Sequence, residues 1–265
     1  MSLPSKRETL DIKVELDKLR EMYTHDIAQD TYNCLLLGES GTGKTRSIET
    51  MRKPVLVHSF DPGGTKTIRK AIAEGGIVVD TRFEHDMTKN PTAYDLWEKE
   101  FERLREGGIF DSMGTYVIDS FTTWLETLKT MTAKKQGRAN LVLQLQDWQV
   151  IGNVMRDMVK LCTSLPCDFV CTGHLSVEKD EVTGGLKATI AAPPSLQIQL
   201  PILFDELYVA ESKETSSGIN YAFITQNTGK YQCLTRIGRD KFDLREKPDF
   251  KALLIKAGLN AEDKT

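Results

Sequence analysis

Eight consecutive residues constrain this chain more than any others. Gly38-Glu39-Ser40-Gly41-Thr42-Gly43-Lys44-Thr45 satisfies the pattern G-x-x-x-x-G-K-[ST] and directly follows the apolar run Cys34-Leu35-Leu36-Leu37. The pattern works only between a buried strand and a helix. Its glycines let successive backbone N–H groups curl around a polyphosphate, and the helix turns its positive end toward it. Residues 32–37 read as the strand. Residues 45–52, without glycine or proline before Pro54, read as the helix. The expected nucleotide-binding set is therefore Gly38, Glu39, Ser40, Gly41, Thr42, Gly43, Lys44 and Thr45. Lys44 reaches the terminal phosphates and Thr45 offers its hydroxyl to magnesium, so ATP and Mg2+ are the expected ligands.

With 265 residues, 40% of them hydrophobic, the chain can bury a full core, and one large α/β domain fits better than two small ones. A net charge of -3 gives no global basic signature, so any nucleic-acid contact needs a local patch. No apolar stretch approaches the length of a membrane span, and Met1 to Glu8 lacks the apolar centre of a signal peptide. A cytoplasmic protein with no membrane partner is expected. The five cysteines are too sparse for a disulfide scaffold. Cys167, Cys171 and His174 lie close together but do not form a C-x-x-C pair, and residues 167–173 read as a buried strand in which cysteine acts as a small apolar residue.

Strand and helix patterns alternate through the first two thirds of the chain. A loose helical pattern covers residues 10–27. Strands are expected at 55–57, 77–79, 116–119 and 169–173, and helices at about 64–74, 92–105, 121–135 and 147–161. Such alternation predicts a largely parallel sheet covered on both faces, with its ligand at the carboxyl ends of the strands. The polar segment 174–200 interrupts the pattern, with Gly184-Gly185 as a hairpin tip. Residues 207–209, 221–224 and 231–234 read as a closing antiparallel meander, and 248–259 as a last helix.

Asp119 ends an apolar strand about seventy residues beyond Lys44, a separation that parallel topology brings to one sheet edge. It is the candidate for holding magnesium through water, or else a cap for the following helix. Ser120 follows it, so any catalytic base must come from elsewhere. Asp61 suits that role if its strand neighbours that of Asp119, and it equally suits an Asp-Pro-Gly turn. His174, just past another strand, is placed to sense a γ-phosphate. Arg236, Arg239 and Lys241 form a basic turn that, in a ring or filament, could reach a neighbour's nucleotide. For nucleic acid the candidates are Lys129, Lys134, Lys135, Arg138, Lys179 and Lys187. No aromatic platform accompanies them, and Glu178, Asp180 and Glu181 dilute the second group.

As an ordered set, Gly38 to Thr45, Tyr116-Val117-Ile118-Asp119-Ser120, Val170-Cys171-Thr172-Gly173-His174, Leu203-Phe204-Asp205-Glu206 and Arg239-Asp240-Lys241-Phe242 resemble the phage-encoded RecA-like P-loop ATPases. More narrowly they are similar to the Sak-type single-strand annealing recombinases. The resemblance implies a RecA-like α/β core over residues 31–242; the helical patterns outside it give an N-terminal helical extension at 1–30 and a C-terminal helix and tail at 243–265. It implies a homo-oligomeric ring or filament acting on single-stranded DNA, with a single-strand binding protein as a further partner. Segments 134–138 and 176–190 become DNA-loop candidates, and Arg236, Arg239 and Lys241 interface candidates. Where RecA-like enzymes commonly carry glutamate, this chain has Asp61. The competing expectation is an ATP-driven loader or remodelling partner of another phage replication protein, without direct DNA contact.

Overall fold

Alternate residues of the central strands enter two different cores. In β1 (Asn33–Gly38), Leu35 and Leu37 join one apolar layer while Cys34 and Leu36 join the other. The same division separates Leu56 from Val55 and Val57, Ile118 from Val117, and Cys171 from Val170. This is the pattern of a sheet covered on both faces, where near-continuous apolar runs replace polar-apolar alternation. The computed structural model describes residues 11–24, 30–138, 141–179, 184–216, 218–238 and 240–264.

The helices among these residues are α1 (Ile12–Thr24), α2 (Lys44–Ser47), α3 (Arg69–Glu74), α4 (Ala93–Glu106), α5 (Phe121–Lys135), α6 (Leu145–Thr163), α7 (Pro194–Gln199) and α8 (Phe250–Ala257). After β1 the strands are β2 (Val55–Ser59), β3 (Ile77–Asp80), β4 (Thr115–Asp119), β5 (Asp168–Gly173), β6 (Leu175–Lys179), β7 (Leu186–Ile190), β8 (Glu206–Thr215), β9 (Gly218–Ile224), β10 (Leu234–Thr235) and β11 (Arg245–Glu246). Among the described residues the main sheet runs β11-β9-β8-β1-β5-β4-β2-β3, with β10 also on β8. Strands β1 to β5 and β8 pair in parallel, whereas β9, β10 and β11 pair antiparallel. The expected α/β architecture with an antiparallel C-terminal part is therefore the one observed.

One core layer holds Trp97 and Phe101 of α4, Trp124 and Leu128 of α5, and Ile151 and Met155 of α6. The opposite layer holds Ile48 and Met51 after α2, and Phe250, Leu253 and Leu254 of α8. The C-terminal helix is thus built into the core, whereas α1 buries no residue.

Three elements differ from expectation. The helix after the phosphate loop is only α2 followed by a 3-10 turn at Ile48–Thr50. The hydroxyls of Ser47 and Thr50 donate back to the carbonyls of Lys44 (2.6 Å) and Ser47 (2.7 Å), competition that favours a tightened ladder. Strand β8 is longer than predicted and does two jobs: it lies parallel to β1 in the central sheet, and it pairs antiparallel with β9 and β10 as the expected meander requires. The long segment after His174 does form the expected hairpin, β6–β7, but as a sheet of its own and followed by α7, which the polar pattern did not predict. Among the described residues no helix is long and apolar enough to cross a membrane.

A buried ion pair fastens the sheet edge remote from the phosphate loop. Arg52 Nε donates to Asp168 Oδ2 (2.7 Å), and its other nitrogens reach the carbonyls of Asn260 and Asp30 (3.2 Å each). Asp168 also accepts the N–H of Tyr32 (2.8 Å).

His58 reports on the aromatic layer. Trp97 Nε1 donates to the Tyr116 hydroxyl (3.2 Å), which shares a hydrogen bond with His58 Nδ1 (2.9 Å). His58 is fully buried, and burial pushes its pKa from 6.5 down to about 4. A depressed histidine pKa stabilises the fold fully above 6.5, and that contribution is lost as pH falls toward 4. Between pH 7.5 and 4.5 the loss amounts to about 2 to 3 kcal/mol. The stability gap between wild type and His58→Gln should narrow by that amount over this range, measured by urea unfolding at both pH values. A constant gap would place the titration elsewhere.

Candidate nucleotide site

The carboxyl ends of β2, β4, β5 and β1 lie side by side, and the residues just beyond them meet around one cavity of about 840 Å³. Its walls include Lys44, Thr45, Asp61, Asp119 and His174. That volume suits a nucleotide-sized ligand.

The loop is shaped by close backbone approach. A Cβ on Gly38 would fall 2.6 Å from Thr42 Oγ1 and 2.8 Å from the Ala210 carbonyl, so only hydrogen fits there. Gly43 adopts a left-handed φ of 88° at the start of α2. Lys44 is buried, and its ammonium donates to the carbonyls of Gly38 and Glu39, both at 2.8 Å. Burial lowers its pKa, against the opposing charges of Asp119, Asp61 and Glu39.

Asp119 is 1% exposed and accepts two hydroxyls: Thr45 Oγ1 on Oδ2 (3.0 Å) and Thr172 Oγ1 on Oδ1. Burial holds its carboxyl above the usual range and the Asp61 charge adds to this, while the two hydroxyl bonds and Lys44 oppose it. A hydroxyl beside a carboxylate at the mouth of a phosphate loop fits Mg2+. That ion takes hard oxygen donors, keeps several waters and completes its shell with phosphate oxygens.

Strands β2 and β4 are neighbours, with Ser59 opposite Asp119. The N–H groups of Phe60 and Asp61 both donate to the Asp119 carbonyl (2.7 and 3.3 Å), and Gly64 N donates to the Asp61 carbonyl (2.9 Å), closing a turn. Ser120 Oγ (3.0 Å) and Thr123 Oγ1 both donate to Asp61 Oδ1. His174 follows β5 directly, and its N–H donates to Thr122 Oγ1 of α5 (3.1 Å).

Sequence reasoning missed Thr172, Tyr221 and Pro248. Tyr221 of β9 lies across the loop: its ring would be 3.4 Å from a Cβ on Gly43. Pro248, ahead of α8, closes another part of the wall. Thr172 could have been found, because it lies one residue before the end of an apolar strand beside the loop strand. Nothing in local spacing marks Tyr221 or Pro248, which lie far along the chain from the loop.

The basic candidates fall elsewhere. Arg236 follows β10, whose Thr235 pairs with Glu206 at the amino end of β8, whereas Gly38 pairs with Ala210 further along that strand. Arg236 donates to the Ile202 carbonyl (2.7 Å) and stands 4.0 Å from Asp205, at the sheet edge opposite the cavity. Lys241 donates to the Ala257 carbonyl and so caps α8, an engagement the expectation of an interface cation did not include. Arg239 lies outside the described residues.

Residues 134–138 lie at the far end of α5 from Asp119. Lys134 donates to Asn90 (2.7 Å), Lys135 to Asp95 (2.8 Å), and Arg138 holds Asp147 through two bonds (2.8 and 2.7 Å). Lys129 pairs with Glu126 (2.6 Å). In the β6–β7 hairpin Lys187 pairs in register with Glu178, while Asp180 and Glu181 lie outside the described residues.

A family model described as an AAA domain matches residues 30–236. The chain belongs to this AAA-domain family. Two solved structures are similar to this AAA domain. One is a KaiC-like protein from the hyperthermophilic archaeon Pyrococcus horikoshii, at 14% identity and TM-score 0.40, covering 73% of this chain and 77% of that one. The other is the flagellar accessory protein FlaH from Methanocaldococcus jannaschii, at 13% identity and TM-score 0.37, covering 82% of this chain and 84% of that one. No curated protein matches the chain.

Lys44→Ala should weaken binding of a fluorescent ATP analogue by about 10- to 100-fold, the loss of one or two charge-assisted hydrogen bonds. ATP turnover should fall with it. Wild-type turnover in the variant would contradict the loop's role.

Proposed function

We propose that this AAA domain is an ATP-hydrolysing, phage Sak-type recombination protein that assembles as a homo-oligomer on single-stranded DNA and promotes annealing or strand exchange. The observation that carries this reading is the position of His174. It lines the cavity, and the next residue begins the β6–β7 hairpin. A change in what fills the cavity can therefore be passed to an exposed ribbon bearing Lys179 and Lys187.

In this reading the loop amides and Lys44 hold the triphosphate, with Tyr221 and Pro248 as aromatic and apolar walls for the rest of the nucleotide. Thr45 and Asp119 would hold Mg2+, which neutralises charge on the phosphates when bound. Asp61 orients the attacking water, and its fixed Oδ1 sets the direction of that carboxylate. Arg236, half exposed at the sheet edge opposite the cavity, would be the cation that one subunit offers to the nucleotide of a head-to-tail neighbour in a ring or filament. Arg239 and Lys241 belong to the same segment. A single-strand binding protein and the host cytoplasm complete the setting.

A second reading is an ATP-driven loader that never touches DNA. The internal pairing of Lys129, Lys135 and Arg138 favours it, because these cations are already neutralised. With an ATP analogue at low salt, the recombination reading expects single-strand binding whose log affinity falls against log salt by about 0.7 per phosphate contacted. Replacing Lys179 and Lys187 with alanine should flatten that slope by about one contact each. No binding, together with an ATPase rate indifferent to single-stranded DNA, would favour the loader.

A further inference from the structure

We propose that Glu84 is a positioning residue for ATP hydrolysis, holding the turn that carries Asp61; this rests on reading Asp61 as the group that orients the attacking water. Glu84 is only 9% exposed, yet it does not line the cavity. Its carboxylate accepts the Ser59 hydroxyl on Oε1 (2.7 Å) and the Gly63 N–H on Oε2 (2.9 Å). Ser59 ends β2 immediately before the turn, and Gly63 sits inside it with a left-handed φ of 68°. One carboxylate thus clamps both sides of Asp61.

The clamp is itself held rigidly. Glu84 closes a short turn with its N–H on the Thr81 carbonyl (3.2 Å). Its neighbour Phe83 is buried, stacked on Phe60 (5.3 Å between centroids) and edge-on to His58 (5.2 Å). On the other side Arg82 is held by Asp80 through Nε (2.9 Å). The aromatic core therefore fixes where Glu84 stands, and Glu84 fixes the Gly63 end of the turn, while the Asp119 carbonyl fixes its Asp61 end. A water-orienting carboxylate needs such support, because a displacement near 1 Å can cost about 10²-fold in rate. Shorter than the usual glutamate, Asp61 cannot reach across such a gap by rotation, so the backbone must bring it into place.

The test compares steady-state ATPase kinetics of Glu84→Ala, Glu84→Gln, Asp61→Asn and the double variant Asp61→Asn with Glu84→Ala, alongside ATP-analogue affinity. Glu84→Ala should lower kcat by about 10- to 100-fold while KM and analogue affinity stay within about threefold. Glutamine can accept from Gly63 and donate to Ser59 Oγ, so Glu84→Gln should recover most of the rate. The double variant should be no slower than Asp61→Asn alone, since the clamp has nothing left to position. If Glu84→Ala fails to fold, Glu84→Asp keeps the charge but withdraws the carboxylate by one methylene, and should show the same selective loss of kcat. Undiminished kcat in a folded Glu84→Ala or Glu84→Asp, with Asp61→Asn inactive, overturns the role of Glu84 alone. Wild-type turnover in Asp61→Asn overturns the reading of Asp61 and the positioning role together.

Discussion

The site depends on a single buried carboxylate. Asp119 accepts Thr45 from the loop after β1 and Thr172 from the end of β5, while its backbone carbonyl receives the two amides that open the Asp61 turn. Three strand ends are tied to one residue. Burial without a full counter-charge raises its carboxyl pKa, and a buried carboxylate in this condition is disposed to take a cation. The same desolvation bears on Lys44, which meanwhile donates to the loop's own carbonyls.

That convergence is a product of sheet order. Placing β5 between β1 and β4, and β2 beyond β4, sets the phosphate loop, His174, Asp119 and Asp61 along one edge. Two apolar layers hold the order in place, and each fully buried large side chain contributes about 1.5 to 3 kcal/mol. At the other edge the Arg52–Asp168 pair joins the start of β5, the approach to β1 and the C-terminal tail. Breaking such a pair from one side costs about 3 to 5 kcal/mol, so both ends of the sheet are pinned, one by apolar and polar contacts and one by charge.

Much of this was legible in the sequence, because the information was local. The loop pattern, the strand before it and the aspartate ending another apolar strand each fit within a few residues. Parallel topology supplied the rest, since it sends every strand's carboxyl end to one edge. What escaped depended on long-range pairing. The register Thr235 to Glu206 sends Arg236 to the opposite edge, and no spacing rule reveals it. The pairing of β9 with the outer half of β8 lays Tyr221 over Gly43. Glu84 escaped for a different reason. A glutamate after a strand reads as a solvated loop charge until Phe83 is seen to be buried beside it. The shortened α2 reflects hydroxyl competition that helix propensity alone does not resolve.

The central claim is that loop amides, Lys44 and the Thr45–Asp119 pair form a magnesium-assisted triphosphate site. Titration calorimetry of the wild-type protein with a non-hydrolysable ATP analogue, with and without Mg2+, tests it most directly. The account predicts saturable heat with one nucleotide per chain and tighter binding when Mg2+ is present. No heat of association under either condition would contradict it.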